Sequence, residues 1–402
     1  MNLFYIINQD LYAGNAHALY SLRNCASLAK TNPGAIIWLL HAGKVTPSEG
    51  GLSEFDLQQQ PNLWIKKLPS IRKTKGSRGL TLNIVFYASV VVFLSIKARK
   101  GDVIITASFI KVLNLLTKTR WLRHQSFIGY EVHELVGLNI NDDISTPNKK
   151  SRKERVILNQ ADFWTATTNP LLKILDSICP NKPKLNLGLA STQSSAKDIN
   201  LVEKNNKAGE HEIAYIGSLY YEQGVEWLIQ SWSEIINKVG ESLRLRIIGG
   251  EPHSVENIRK LIPKQIAHLV YLEGHVKPSD ISNHLSNSKM LIIPSLSKGR
   301  MPFVAITKSY DYPAYRIPII AADIPTISSI LKNNESAFLF KPENVDSLVD
   351  CIKKCMTMRK EDLCLLTYNA TKKSEELSWE NRASRYWGFI KTAKMATPNN
   401  ER

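Results

Sequence analysis

Short apolar runs that read as strands alternate along the whole chain with longer segments whose apolar residues recur every three or four positions. In the first half the strand runs are LFYII (3–7), AIIWLL (35–40), DVIITA (102–107), SFIGYEVH (126–133) and DFWTATT (162–168). A helix is expected after the first of them, through about Leu28. The polar stretch 191–211, rich in Ser, Lys and Asn, has little to bury and reads as a linker. The alternation then restarts with EIAYIGS (212–218), LRLRIIGG (243–250), LVYLEGH (269–275), KMLIIPS (289–295) and IPIIAAD (317–323). The segment 223–239 between the first two carries helical spacing. Strands alternating with helices predict parallel sheets covered on both faces. The fold class is therefore α/β, with two doubly wound Rossmann-like domains facing a cleft. Their expected bounds are 1–190 and 212–377, and the last helix, within 378–402, is expected to return to the first domain. A chain of 402 residues suits two such cores.

One segment departs from the pattern. Residues 80–96, LTLNIVFYASVVVFLSI, carry no charge and are flanked by IKKLPSIRKTKGSRG and KARK. Their length is at the lower limit for a membrane span. A span would put strands 3–7 and 102–107 on opposite sides of a bilayer, although both fit one parallel sheet. The expectation is a helix buried against that sheet. A second expectation is that 66–100 also makes peripheral contact with an anionic membrane, its basic flanks meeting lipid phosphates.

Charge sharpens this picture. Residues 1–190 hold 24 Lys+Arg against 12 Asp+Glu, a balance of +12, whereas the remainder holds 28 against 24, only +4. A basic first half calls for an anionic partner. Its cations surround an apolar helix rather than interleaving with aromatic residues, so nucleic acid is not the expected partner. The five cysteines form no paired framework. Cys351 and Cys355 lie one helical turn apart without the further ligands a metal site needs, so no metal is expected. With no signal-like start, the expected location is cytoplasmic, peripheral on the membrane face if 66–100 docks.

In open α/β sheets ligands bind beyond the carboxyl ends of the strands. That rule selects the loops at 10–17, 133–137, 217–224, 249–253 and 295–308, which contain Gly14, Gly217, Gly249, Gly250 and Gly299. Backbone N–H groups exposed by such glycines at helix starts suit phosphate oxygens.

The residues EIAYIGSLYYEQGVEWLIQSW, LRLRIIGGEP, ISNHLSNSKMLIIPSLSKG and YDYPAYRIPIIAADIPTISSIL resemble the second domain of retaining, GT-B-fold glycosyltransferases of the family 4 type (glycosyl transferases group 1). YEVHEL and LNLGLAS are similar to that family's first domain. The resemblance implies a metal-independent hexosyltransferase-type enzyme without a cofactor. It would move a sugar from a nucleotide-diphosphate sugar to a hydroxyl of a glycan or lipid-linked acceptor, in surface polysaccharide or glycolipid assembly. Basic side chains and helix N-termini would neutralise the leaving diphosphate.

Carried over position by position, the resemblance makes His133 the histidine near the reacting sugar and Asp311 the ribose-binding acid. Gly14, Gly217, Ser218, Gly249, Gly250 and Lys308 fall on the donor side, and Asn15 and His17 on the acceptor side. The family's Arg and Lys around the first turn of the second domain are replaced by Ser218 and Gln223, and Arg300 and Lys308 are expected to grip the diphosphate instead. The first acid of the family's glutamate pair is missing, its place being Lys298 or Phe303. The alternative that this opens is a catalytically degenerate protein that binds nucleotide sugars or acts as a scaffold.

Overall fold

The computed structural model describes residues 1–11, 16–43, 57–70, 84–135, 149–191, 211–277 and 280–397. Gly14 and Asn15, most of the 191–211 stretch and the basic run 71–83 lie outside the described residues. The chain forms two compact units. One comprises the chain up to Gly188 together with Trp379 onward, and the other comprises Leu189–Ser378.

Among the described residues, the first unit is built on a parallel sheet of seven strands. These are β1 (Asn2–Ile7), β2 (Ile36–Ala42), β3 (Leu63–Leu68), β4 (Val103–Ala107), β5 (Phe127–Val132), β6 (Phe163–Ala166) and β7 (Lys184–Asn186), in the order β3-β2-β1-β4-β5-β6-β7. Its connecting helices are α1 (Ala16–Thr31), α2 (Ile84–Lys97), α3 (Ile110–Lys118), α4 (Arg120–Gln125), α5 (Lys149–Leu158) and α6 (Asn169–Ile178). β4 and β5 are buried along their whole length, the pattern of strands covered on both faces. The strand order reverses between β1 and β4, where α/β sheets bind ligands.

Among the described residues the second unit has six parallel strands: β8 (His211–Ile216), β9 (Leu243–Ile248), β10 (Val270–Gly274), β11 (Ser288–Ile293), β12 (Ile319–Ala322) and β13 (Phe338–Phe340). Their order is β10-β9-β8-β11-β12-β13, which reverses between β8 and β11. Its helices are α7 (Val225–Val239), α8 (Pro252–Leu261), α9 (Ile281–His284), α10 (Lys308–Asp311), α11 (Pro325–Ser328), α12 (Val345–Thr357) and α13 (Lys360–Glu376). The last helix, α14 (Trp379–Ala396), gives Ala383, Tyr386, Trp387, Ile390 and Ala393 to the core of the first unit, beside Leu22, Cys25 and Leu28 of α1.

The structure adds three strands to the pattern read from the sequence. β3 alternates between half-buried and exposed positions because it is an edge strand, and its Lys66 and Lys67 break the apolar run. β7 and β13 have three residues each, too few for a periodicity to register. The strand drawn over 126–133 ends at Val132, so His133 is the first residue beyond the sheet. The run 317–323 narrows to Ile319–Ala322.

The apolar segment 80–96 is helical from Ile84 onward and lies on the sheet. Phe86, Val90 and Leu94 are buried, and Phe93 meets Trp38 of β2 edge-on at 5.3 Å. No helix among the described residues is long and apolar enough to cross a membrane. All five cysteines are free thiols.

Candidate functional site

In the second unit the ends of β8, β9 and β11 meet at the strand-order reversal. Gly217 follows β8 and donates its N–H to Ile248 O at 2.9 Å. Gly249, after β9, packs backbone to backbone against Gly217, and a Cβ there would collide with the Gly217 carbonyl. Gly250 leaves no such room against Leu219. These glycines are needed for close approach as well as for their positive φ angles of 111° and 90° at 249 and 250.

Lys308 reaches into this junction from α10. A Cβ on Gly217 would stand 2.6 Å from Lys308 Cε and 2.8 Å from Nζ, so the missing side chain is the space the lysine occupies. Lys308 Nζ lies 4.9 Å from the centroid of the Tyr215 ring and donates to Gln223 Oε1 at 2.5 Å. The residue is 7% exposed. Burial lowers its pKa to about 7, against the pull of the Asp311 carboxylate, which raises it.

Asp311 is half-buried one turn further along the same short helix. Tyr312 pins this segment to β8. Its hydroxyl accepts from Ile216 N at 2.7 Å and donates to Ile216 O at 2.9 Å. From α13, Thr371 and Ser374 donate to the carbonyls of Pro313 and Tyr310.

The two substituted positions thereby gain a physical meaning. Gln223, which stands where a basic residue was expected, accepts from the lysine that arrives from the far side of the junction. Ser218 is exposed, and its carbonyl accepts from the Tyr215 hydroxyl at 2.5 Å. Lys298 forms an ion pair with Glu343 at 2.6 Å, and Phe303 is half-buried. Arg300 is exposed on the turn before α10, and the charge that acts on Lys308 is that of Asp311. The structure therefore brings Gly217, Gly249, Gly250, Lys308 and Asp311 together at the ends of β8 and β9.

In the first unit His133 leaves the end of β5 with 18% of its side chain exposed. Its Nε2 lies 3.2 Å from Oε1 of Glu131, a residue with no exposure. Burial alone would raise the Glu131 pKa. The Arg382 guanidinium at 2.7 Å overcomes that and, with His133 and Tyr20, holds the carboxyl well below the usual carboxylate range. His17, near the start of α1, lies 5.0 Å from the His133 ring. Burial and the neighbouring His133 lower its pKa to about 4, against Glu131. Neither of its ring nitrogens has a hydrogen-bond partner among the described residues.

Sequence reasoning missed Tyr312, Arg382 and the roles of Gln223 and Glu131. Tyr312, Arg382 and Gln223 act on residues far away in the chain, a relation no local spacing encodes, and Glu131, two positions from His133, takes its role from the distant Arg382.

The two sheets and their order define a GT-B fold, and the comparisons agree. A sucrose-phosphate synthase from Thermosynechococcus elongatus superposes with a TM-score of 0.73, covering 99% of this chain and 100% of that one at 14% identity. Anabaena HepE, solved in complex with UDP, superposes with a TM-score of 0.67 over 98% and 100% of the two chains, also at 14% identity. Residues 210–358 match the family Glycosyl transferases group 1, so the second unit carries a domain of that family. The capsular polysaccharide biosynthesis glycosyltransferase CapM of Staphylococcus aureus is 23% identical over 192 residues, 45% of this chain and 47% of that protein. The chain thus spans about half the length of that relative.

Proposed function

We propose that this protein is a retaining glycosyltransferase that uses a nucleotide-diphosphate sugar as donor and an acceptor hydroxyl in surface polysaccharide or glycolipid assembly. The observation that carries the reading is Lys308, a buried cation held at the glycine-lined ends of β8 and β9. A buried amine at a glycine-lined strand junction suits a diphosphate, whose charge grows as it leaves the sugar. Lys308 would supply that positive charge from the protein itself. Asp311, one turn away, can accept from two adjacent ribose hydroxyls. His133 and His17 would serve the sugar and acceptor side. The name of CapM and the UDP bound to HepE support the substrate class.

The test is nucleotide release from UDP- and GDP-sugars in the presence of a lipid extract, alongside a thermal-shift screen of nucleoside diphosphates. Turnover with one donor is the expected result. Nucleotide binding without turnover on any donor would leave the degenerate, scaffold reading, which the missing acid at Lys298 or Phe303 favours. No binding at all would remove both.

We also propose that the first unit touches an anionic membrane through α2. Ile84, Ala88, Val92 and Ile96 recur every four residues as an exposed stripe opposite the buried one, with Ile84, Val92 and Ile96 at 64%, 59% and 61% exposure. Trp64, on the neighbouring β3, is 54% exposed, and Lys66, Lys97, Arg99 and Lys100 are exposed in the same part of the chain. An apolar stripe rimmed by cations matches a lipid surface. The protein should sediment with anionic vesicles, and Val92→Asp/Ile96→Asp should abolish this. Equal binding to zwitterionic vesicles in high salt would defeat the electrostatic part of the reading.

A further inference from the structure

The carboxylate beneath His133 is held more tightly than a flanking residue requires. Arg382 of α14 donates to Glu131 Oε1 at 2.7 Å, to Asn24 Oδ1 at 2.6 Å and to Gly188 O at 3.0 Å, and also to the Tyr20 hydroxyl. Its guanidinium carbon lies 5.0 Å from the centroid of the Tyr20 ring and 5.7 Å from those of Trp379 and Tyr386. A guanidinium stays charged at every working pH, so the Glu131 it faces stays ionised, and an ionised carboxylate can only accept. Every hydrogen around it must therefore point inward. Tyr5 donates to Oε2 at 3.1 Å, Tyr20 donates to Oε1, and His133 Nε2 lies 3.2 Å from Oε1. The proton of a neutral His133 is then on Nε2 and its lone pair on Nδ1.

We propose that Glu131 is a positioning residue for His133. Set by Arg382, it fixes the Nε2–H tautomer, so that His133 offers Nδ1 as a hydrogen-bond acceptor to a hydroxyl of the bound sugar. The groups that face the imidazole come from three elements. From α1 come the Tyr20 ring, edge-on at 4.6 Å, and His17, whose lowered pKa keeps it uncharged near neutrality. From β5 comes Glu131, and from α14 comes Arg382, whose charge is spent on Glu131. A neutral imidazole acceptor selects for a hydroxyl and against a deoxygenated or acceptor-only group at the same position.

The assignment of His133 to the sugar rests on the glycosyltransferase reading; the tautomer does not. The first measurement is therefore long-range nitrogen–proton NMR of ring-labelled histidines in the full chain, with the His133 signals identified by their loss in His133→Asn. The expected result is an Nε2–H ring in the parent and a shift toward Nδ1–H in Glu131→Gln, whose amide can donate as well as accept. An Nδ1–H ring in the parent overturns the proposal without needing any variant to fold. The second measurement is kcat/KM for sugar transfer. Glu131→Gln and His133→Ala should each lose about tenfold, the worth of one neutral hydrogen bond. The double variant should lose no more than His133→Ala alone. Losses that multiply would show that Glu131 does not act through His133.

Discussion

Lys308 is the residue on which the proposed donor site turns, and its burial has two consequences that can be measured. The group titrates at about 7 in the fold but at its ordinary 10.5 once unfolded. The unfolded chain therefore binds more protons between these values, and stability rises with pH from about 7 to 10.5. Lys308→Met should flatten that slope and raise stability at pH 7, read as the urea midpoint against pH. A diphosphate arriving beside the amine pulls its pKa upward, so binding at pH 8 should take up a proton. Titration calorimetry in buffers of different ionisation enthalpy reports that uptake directly. The same Lys308→Met variant should weaken nucleoside diphosphate binding by roughly tenfold to a hundredfold, the range for a charged hydrogen bond. The glycines were legible because they follow strand ends, where the topology of the fold puts ligands, and Lys308 and Asp311 through the family resemblance. Gln223 was legible only as a missing cation. Its partnership with Lys308 spans 85 positions in the chain, and the fold alone makes it.

At the scale of elements, the site depends on how α10 is fastened to β8. That helix is four residues long, too short to hold itself in place. Tyr312 supplies the fastening through two hydrogen bonds to the backbone of Ile216. Tyr312→Phe should therefore cost about 1–3 kcal/mol in the unfolding of the second unit, followed by urea denaturation. It should also weaken nucleoside diphosphate binding, because Lys308 loses its seat. A variant that loses stability but binds at full strength would show that α10 is held by Thr371 and Ser374 alone. Element recognition from the sequence succeeded where both faces of a strand are buried, as in β4 and β5. It failed at β3, an edge strand whose apolar run is broken by Lys66 and Lys67, and at the three-residue strands β7 and β13. The apolar helix α2 was legible as a helix. Its exposed stripe was not, because an all-apolar sequence does not say which side meets the sheet.

At the scale of the molecule, each unit closes its own apolar core. The first borrows α14 from the far end of the chain, and Arg382 is the polar part of that loan. Arg382 and Glu131 are both buried, so removing one leaves the other charged in a medium that cannot solvate it. Arg382→Met should cost the first unit about 3–5 kcal/mol. The second unit owes nothing to that pair, so heat should unfold the full chain in more than one transition. A nucleoside diphosphate at a hundred times its Kd adds about 2.7 kcal/mol to the unit that binds it, which for a core of this size raises Tm by roughly 5–10 °C. Differential scanning calorimetry of the parent should show the nucleotide lifting one transition and leaving the other in place. In Arg382→Met the unlifted transition should fall while the lifted one still responds. If both transitions rise with nucleotide, the ligand draws its binding energy from both units, and the donor site is not confined to the second.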